Sequence, residues 1–192
     1  MSIVATYHVW HIAALIAVLG CALSAGKGAA AEPLPQVTLK TTKGDVVIEL
    51  YEDEAPNAVA NFVSLVEKKF YDGVPFHRVI EGFMAQTGDP TGTGAGGSEL
   101  PDLKAEFNDY NFGRGAIGAA RTNDPDSANS QWFICFDDCS FLNKQYTVWG
   151  QVVSGMEFVD KIKRGEPPSN PDKIVKMELA ADSAAGAAPA AQ

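Results

Sequence analysis

Clustered positive charge is the first thing this sequence lacks. Its 15 Lys and Arg stand against 24 Asp and Glu, a formal net charge of −9, and no basic run interrupts that balance. Phosphate recognition needs a concentrated positive field, so the composition argues against a nucleic-acid partner. The acidic excess favours solubility instead. Histidine and cysteine are scarce too, at three each, and beyond residue 31 only His77, Cys135 and Cys139 remain, which leaves little from which to build a metal site. No Ser or Cys sits in an elbow motif and no nucleophile–base pair is visible, so covalent catalysis has no obvious carrier. Long apolar runs are missing as well. The longest covers residues 12–19 and extends with small residues to Ala25, short of the roughly 20 residues that span a bilayer. There is no internal repeat.

What is present begins with a contrast between residues 1–31 and the rest. That segment holds no Asp or Glu, carries only Lys27, and ends in Ala29-Ala30-Ala31 before Glu32. An apolar stretch followed by an A-x-A pattern predicts a secretory signal peptide over 1–31 and a periplasmic mature protein, although His8 and His11 stand where Lys or Arg is usual. Val18-Leu19-Gly20-Cys21 supports an alternative, lipid anchoring at Cys21. In an oxidising compartment Cys135 and Cys139 could pair. Four extended residues span about 13 Å, whereas a disulfide needs Cα atoms within about 7 Å. A bridge therefore requires a tight turn at Asp137-Asp138, and both the bridged and the free forms remain open. Residues 32–180 have the balance of one globular domain, and the Ala-rich residues 181–192 are expected to be disordered.

Within the domain, residues 36–50 alternate apolar and polar around Lys43-Gly44-Asp45, which predicts a hairpin. Pro56 suits a first helical turn, and Val59, Phe62, Val63 and Val66 follow at helical spacing. Strand-like runs cover residues 76–80, 83–86, 116–120, 132–136, 146–153 and 174–179, with a second helix over 155–164. The expected fold class is mainly β with two helices. Gly92-Thr93-Gly94-Ala95-Gly96-Gly97 fits a nucleotide fingerprint, but Pro101 follows where a helix should begin, so a mobile glycine-rich loop is the better reading.

The most informative stretch is Phe76-His77-Arg78-Val79-Ile80-Glu81-Gly82-Phe83-Met84-Ala85-Gln86-Thr87-Gly88-Asp89. In a strand over 76–80, Phe76, Arg78 and Ile80 share one face and His77 takes the other. An Arg among apolar neighbours is unusual, since arginine is rarely buried unless paired. From this segment alone, a surface Arg beside ordinary core residues remains an open alternative.

The stretch from Phe76 through Gly97 resembles the signature of the cyclophilins. Ser130-Gln131-Trp132-Phe133-Ile134-Cys135 is similar to the family's second block, and Phe141-Leu142 with residues 146–150 to its third. The resemblance runs in order from about residue 36 to 180. It implies a closed eight-stranded antiparallel β-barrel capped by two helices, with a groove on the barrel's outside. It also implies peptidyl-prolyl cis-trans isomerase activity on proline-containing, unfolded or partly folded polypeptides, with no cofactor or metal. A monomer with no stable membrane partner is expected. Carried over by position, Arg78 and Gln86 would be catalytic. Phe83, Met84, Ala120, Arg121, Gln131, Phe133, Phe141, Leu142 and Tyr146 would bind substrate. Three of these depart from the commonest eukaryotic pattern: Phe141 stands where many members have Trp, as is usual in bacterial relatives, Tyr146 where many have His, and Arg121 where many have Asn.

Overall fold

The computed structural model describes residues 34–180. The expected signal peptide over 1–31, the alternative lipid site at Cys21 and the Ala-rich tail at 181–192 lie outside the described residues. Eight strands form one sheet: β1 Gln36–Thr41, β2 Gly44–Leu50, β3 Arg78–Ile80, β4 Met84–Thr87, β5 Ala116–Ala119, β6 Trp132–Cys135, β7 Val148–Ser154 and β8 Ile174–Leu179. Their order is β3-β4-β6-β5-β7-β2-β1-β8, and every neighbouring pair is antiparallel.

The β1–β2 hairpin follows from alternation: Val37, Leu39, Val46, Ile48 and Leu50 are fully buried while their neighbours face outward. Its turn lies one residue earlier than the sequence suggests, at Thr42-Lys43, because Thr41 Oγ1 accepts the backbone N–H groups of both Lys43 and Gly44. Helix α1, Pro56–Glu67, begins at the expected proline and buries Val59, Phe62 and Val66. Phe62 meets the rings of Tyr71, Trp132 and Trp149 at 5.4, 5.9 and 4.4 Å, an aromatic cluster at the centre of the core.

Helix α2 is a single turn, Met156–Val159, not the longer helix expected through residue 164. Tertiary acceptors take the donors that a longer helix would use internally. The Lys163 N–H goes to Asp172 Oδ2 at 2.8 Å, and the Gly165 N–H goes to Val79 O at 2.9 Å. Similarly, β7 starts at Val148 and not at Tyr146, whose N–H donates to Leu142 O at 3.2 Å as the chain leaves a 3-10 turn, Ser140–Leu142.

The strands make an eight-stranded curled sheet, a half-barrel. Among the described residues β3 and β8 share no ladder, in place of the strand-to-strand closure the sequence suggests. The reason is that β3 is short and its outer edge bonds to Gly165. The two ends of the sheet meet just ahead of these strands, where Gly73 N–H donates to Ile174 O at 2.8 Å and Phe76 N–H to Asp172 O at 2.9 Å.

Both faces of the central strands are covered. Ala85, Ile117, Trp132 and Ile134 join the main core with α1. The intervening Met84, Ala116, Phe133 and Cys135 join a second apolar cluster with Phe112, Cys139, Leu142 and Val148. Alternation along β4, β5 and β6 therefore assigns each strand one row to the interior and one row to the face that carries the candidate site.

Candidate active site

The second face is built by register. Arg78 on β3 lies opposite Gln86 on β4, Gln86 lies opposite Phe133 on β6, and Met84 lies opposite Cys135. This row brings one cation, one amide and two large apolar side chains side by side. Ten of the eleven residues singled out from the sequence line a single hollow of about 320 Å³: Arg78, Phe83, Met84, Gln86, Ala120, Arg121, Phe133, Phe141, Leu142 and Tyr146. The eleventh, Gln131, lines an adjoining hollow of about 550 Å³ that shares Gln86, Ala120 and Arg121 with the first.

The floor is apolar and nearly inaccessible, made of Met84, Phe133 and Leu142. Phe133 is held from below by Phe112, with ring centroids 5.6 Å apart, and at its edge by Tyr146 at 6.0 Å. Phe141, named above among the residues that would bind substrate, stands on the lip of the hollow: it is 62% exposed and leans on Phe83 at 5.4 Å. On the opposite rim the Arg121 guanidinium lies 4.2 Å above the Tyr146 ring. It also donates to the carbonyls of Thr122 and Gln145, each at 2.8 Å, which pins Tyr146 from above.

A directed chain of hydrogen bonds runs along the polar side. The Gln131 Nε2 donates to the carbonyls of Gly94 and Gly96 at 3.0 and 2.8 Å. Gln131 Oε1 accepts from Gln86 Nε2 at 2.8 Å, and Gln86 Oε1 accepts from Arg78 Nη1 at 3.4 Å. At the far end Arg78 Nε donates to Glu166 Oε2 at 2.9 Å. Arg78 is thus not drawn inward: its side chain is 42% exposed in this pair and lines the apolar hollow.

The glycine-rich loop is anchored, not mobile as expected. The fully buried carboxylate of Asp89 accepts from the N–H groups of Thr91, Gly94 and Gly96 at 2.7, 2.6 and 3.1 Å, and from Thr91 Oγ1 at 2.7 Å. Burial opposes its charge, but these hydrogen bonds outweigh it and hold the carboxyl at about 2. A second anchor is Asn129, whose Oδ1 accepts from Ser98 N–H and Oγ, both at 2.8 Å.

Two neighbours of Arg78 behave differently from the sequence expectation. Phe76 does not share its face: Phe76 lies in the main core, while Ile80 packs with the second cluster. Pairing with β4 begins only at Arg78, whereas Pro75 bridges to Lys173 and the Phe76 N–H donates to Asp172 O at 2.9 Å. His77 is buried but does not point away from Arg78: with Gln86, Gly94 and Glu166 the two line a further hollow of about 270 Å³, and burial lowers the imidazole pKa. The two thiols are free and buried. The chain between them bends at Phe136-Asp137, one residue before the expected turn, and Cys139 Sγ comes to 3.5 Å from Phe83 O.

Glu166, Asp89 and Gly118 escape the sequence reading. Asp89 stands inside the motif but carries no sign of its burial. Glu166 is 88 residues from Arg78 in the chain. Gly118 lies under the aromatic floor, where a Cβ would fall 2.5 Å from Phe133 Cζ and 2.6 Å from Phe112 Cε1.

Comparison with known proteins agrees with this architecture. The family model described as cyclophilin type peptidyl-prolyl cis-trans isomerase matches residues 36–179. A probable peptidyl-prolyl cis-trans isomerase of Brucella suis is 50% identical over 189 positions, covering 88% of this chain and 96% of the relative. A peptidyl-prolyl cis-trans isomerase of Helicobacter pylori is 43% identical over 132 positions, covering 67% of this chain and 80% of the relative. Among solved structures, a cyclophilin from Hirschia baltica superposes with a TM-score of 0.72 at 30% identity, covering 82% of this chain and 77% of its own. A Cryptosporidium parvum cyclophilin type isomerase, crystallised in the presence of the dipeptide Ala-Pro, gives 0.70 at 28% identity, covering 75% of this chain and 98% of its own. An outward apolar hollow beside an arginine on an eight-stranded antiparallel sheet, with a matching family model over three quarters of the chain, leads to one assignment: the chain belongs to the cyclophilin-type peptidyl-prolyl cis-trans isomerases.

Proposed function

We propose that the hollow beside Arg78 grips the proline of an X-Pro segment in an exported, incompletely folded polypeptide and favours the twisted state of its peptide bond. Amide resonance sets a barrier of about 18–20 kcal/mol, and both isomers of an X-Pro bond are populated. Nothing covalent has to form, so the reaction asks only for differential binding of the twisted form. At a twist near 90° the proline nitrogen regains its lone pair and accepts a hydrogen bond. Arg78 supplies the donor, since its guanidinium stays charged and presents a planar fork of N–H groups. Phe83, Met84, Phe133 and Leu142 hold the pyrrolidine ring, with Phe141 at the lip. Gln86 bonds the substrate backbone on one side of the rotating bond, and Ala120, Arg121, Gln131 and Tyr146 border the segment that precedes it. Each tenfold in rate needs about 1.4 kcal/mol of preferential stabilisation, the scale of one charge-assisted hydrogen bond made in a partly desolvated site.

The observation that carries this reading is a cation held at the edge of an apolar hollow by Gln86 and Glu166. The relative crystallised in the presence of Ala-Pro supports the choice of ligand. The test is isomerisation of a short X-Pro peptide by wild type and Arg78→Ala. Loss of most activity with the fold intact is expected, and an unchanged rate removes Arg78 from the mechanism. The setting rests on the composition of residues 1–31: a cleaved signal peptide, a periplasmic monomer of residues 32–192, and clients met during export. Mass measurement of the mature chain checks this, with Glu32 as first residue expected and a lipidated Cys21 pointing to an anchored enzyme.

A further inference from the structure

The segment after α2 lies along the outer edge of β3. Val79 N–H donates to Gly165 O at 2.8 Å, and Gly165 N–H returns to Val79 O at 2.9 Å, forming an antiparallel bridge. In that register residue 166 falls opposite residue 78. The side chains meet accordingly, with Arg78 Nε donating to Glu166 Oε2 at 2.9 Å. Gly165 is suited to this duty: its φ is +147°, and a Cβ there would lie 2.6 Å from Pro168 Cα. The residue that sets the register is therefore held to glycine by close backbone approach.

Arg78 is consequently gripped by two elements. Gln86 on β4 takes Nη1 at 3.4 Å, a long bond that by itself leaves the planar group free to turn about its last torsions. Adding the Glu166 bond at Nε fixes the plane. The remaining N–H groups are then presented over the hollow that Phe83, Met84 and Phe133 line. A donor that is already aimed loses little freedom when the twisted bond forms, and that saving appears only in the transition state.

We infer that Glu166 is a positioning residue for Arg78, holding the Nε edge of the guanidinium so that its other donors face the proline hollow. This rests on the reading of Arg78 as the donor to the twisted bond. The pair is open to solvent, with side chains 42% and 53% exposed, and exposed pairs hardly stabilise a fold. The effect of Glu166 thus belongs to turnover and not to melting temperature.

The experiment compares full-length wild type, Glu166→Ala, Glu166→Gln, Arg78→Ala and the Arg78→Ala/Glu166→Ala double variant on one X-Pro peptide, at low and high ionic strength. Glu166→Ala is expected to lose about two- to fivefold in kcat/KM, carried by kcat with KM little changed. Glu166→Gln keeps an acceptor in place and recovers part of the loss. High salt lowers the wild type towards Glu166→Ala and leaves that variant unmoved, and in the Arg78→Ala background removing Glu166 adds nothing. Wild-type or raised kcat in Glu166→Ala, a change confined to Tm, or a further loss in the Arg78→Ala background overturns the inference. Full activity in Arg78→Ala overturns the underlying reading instead, whatever Glu166→Ala does.

Discussion

Gln86 donates its Nε2 to Gln131 Oε1 at 2.8 Å, and the polarity of that bond is dictated from outside the pair. Gln131 must turn its own Nε2 towards the carbonyls of Gly94 and Gly96, because an oxygen there would face two acceptors. Its Oε1 is then left for Gln86, whose Oε1 in turn faces Arg78. The glycine-rich loop thereby orients a side chain with which it has no hydrogen bond of its own.

Gln131→Glu tests this relay. The carboxylate keeps an acceptor for Gln86 but sets an oxygen against the loop carbonyls. With two hydrogen bonds lost, kcat/KM for an X-Pro peptide is expected to fall about five- to tenfold. Circular dichroism should show the sheet intact.

Asp89 makes stability depend on pH in the acid range. Its folded carboxyl lies at about 2, below the ordinary 3.8, so the folded state binds fewer protons than the unfolded chain. The resulting stability is fully present above the ordinary value and disappears as pH falls through about 2. Asp89→Ala takes the shared charged acceptor from the N–H groups of Thr91, Gly94 and Gly96 and is expected to cost about 1–3 kcal/mol at neutral pH. The gap between wild type and variant should close on acidification, as followed by urea unfolding at a series of pH values.

Gly118→Ala strikes the floor of the hollow. The added Cβ would approach Phe133 and Phe112 within 2.5 and 2.6 Å, and Phe112 is fully buried with no room to retreat. Overpacking of this kind costs about 1–3 kcal/mol. A lower Tm is expected together with weaker peptide turnover, since Phe133 has to shift into the space proposed for the proline ring.

The two thiols should be silent in the native protein. Cys135 and Cys139 are both fully buried, and the hydrogen bond with Cys139, together with burial, pushes the Cys135 thiol up. A thiol reagent is expected to modify neither residue in native buffer and both in denaturant. Rapid native labelling would contradict the packing.

Much of the scaffold was legible because it is written in spacing. The alternation of Val37 and Leu39, and of Val46, Ile48 and Leu50, marks the buried rows of β1 and β2, and Pro56 with Phe62 marks α1. The motif residues from Arg78 to Tyr146 came from resemblance, and ten of them share one hollow. Where the reading failed, a long-range bond had overruled a local pattern. The helix goes no further because Asp172 and Val79 claim the N–H groups of Lys163 and Gly165, and Phe76 leaves the face of Arg78 where its own N–H is claimed by Asp172.

By itself, then, the sequence determined which rows of β1 and β2 are buried, where α1 begins and which family the motifs resemble. All three depend on residues close together in the chain, where a period of two or 3.6 decides exposure. Only the tertiary structure decided that Glu166 stands beside Arg78, that Gln131 points its amide at the loop, and that Asp89 is sealed from water. Those relationships arise when segments far apart in the chain close on one another, and backbone register, which no local period encodes, sets which side chains then meet.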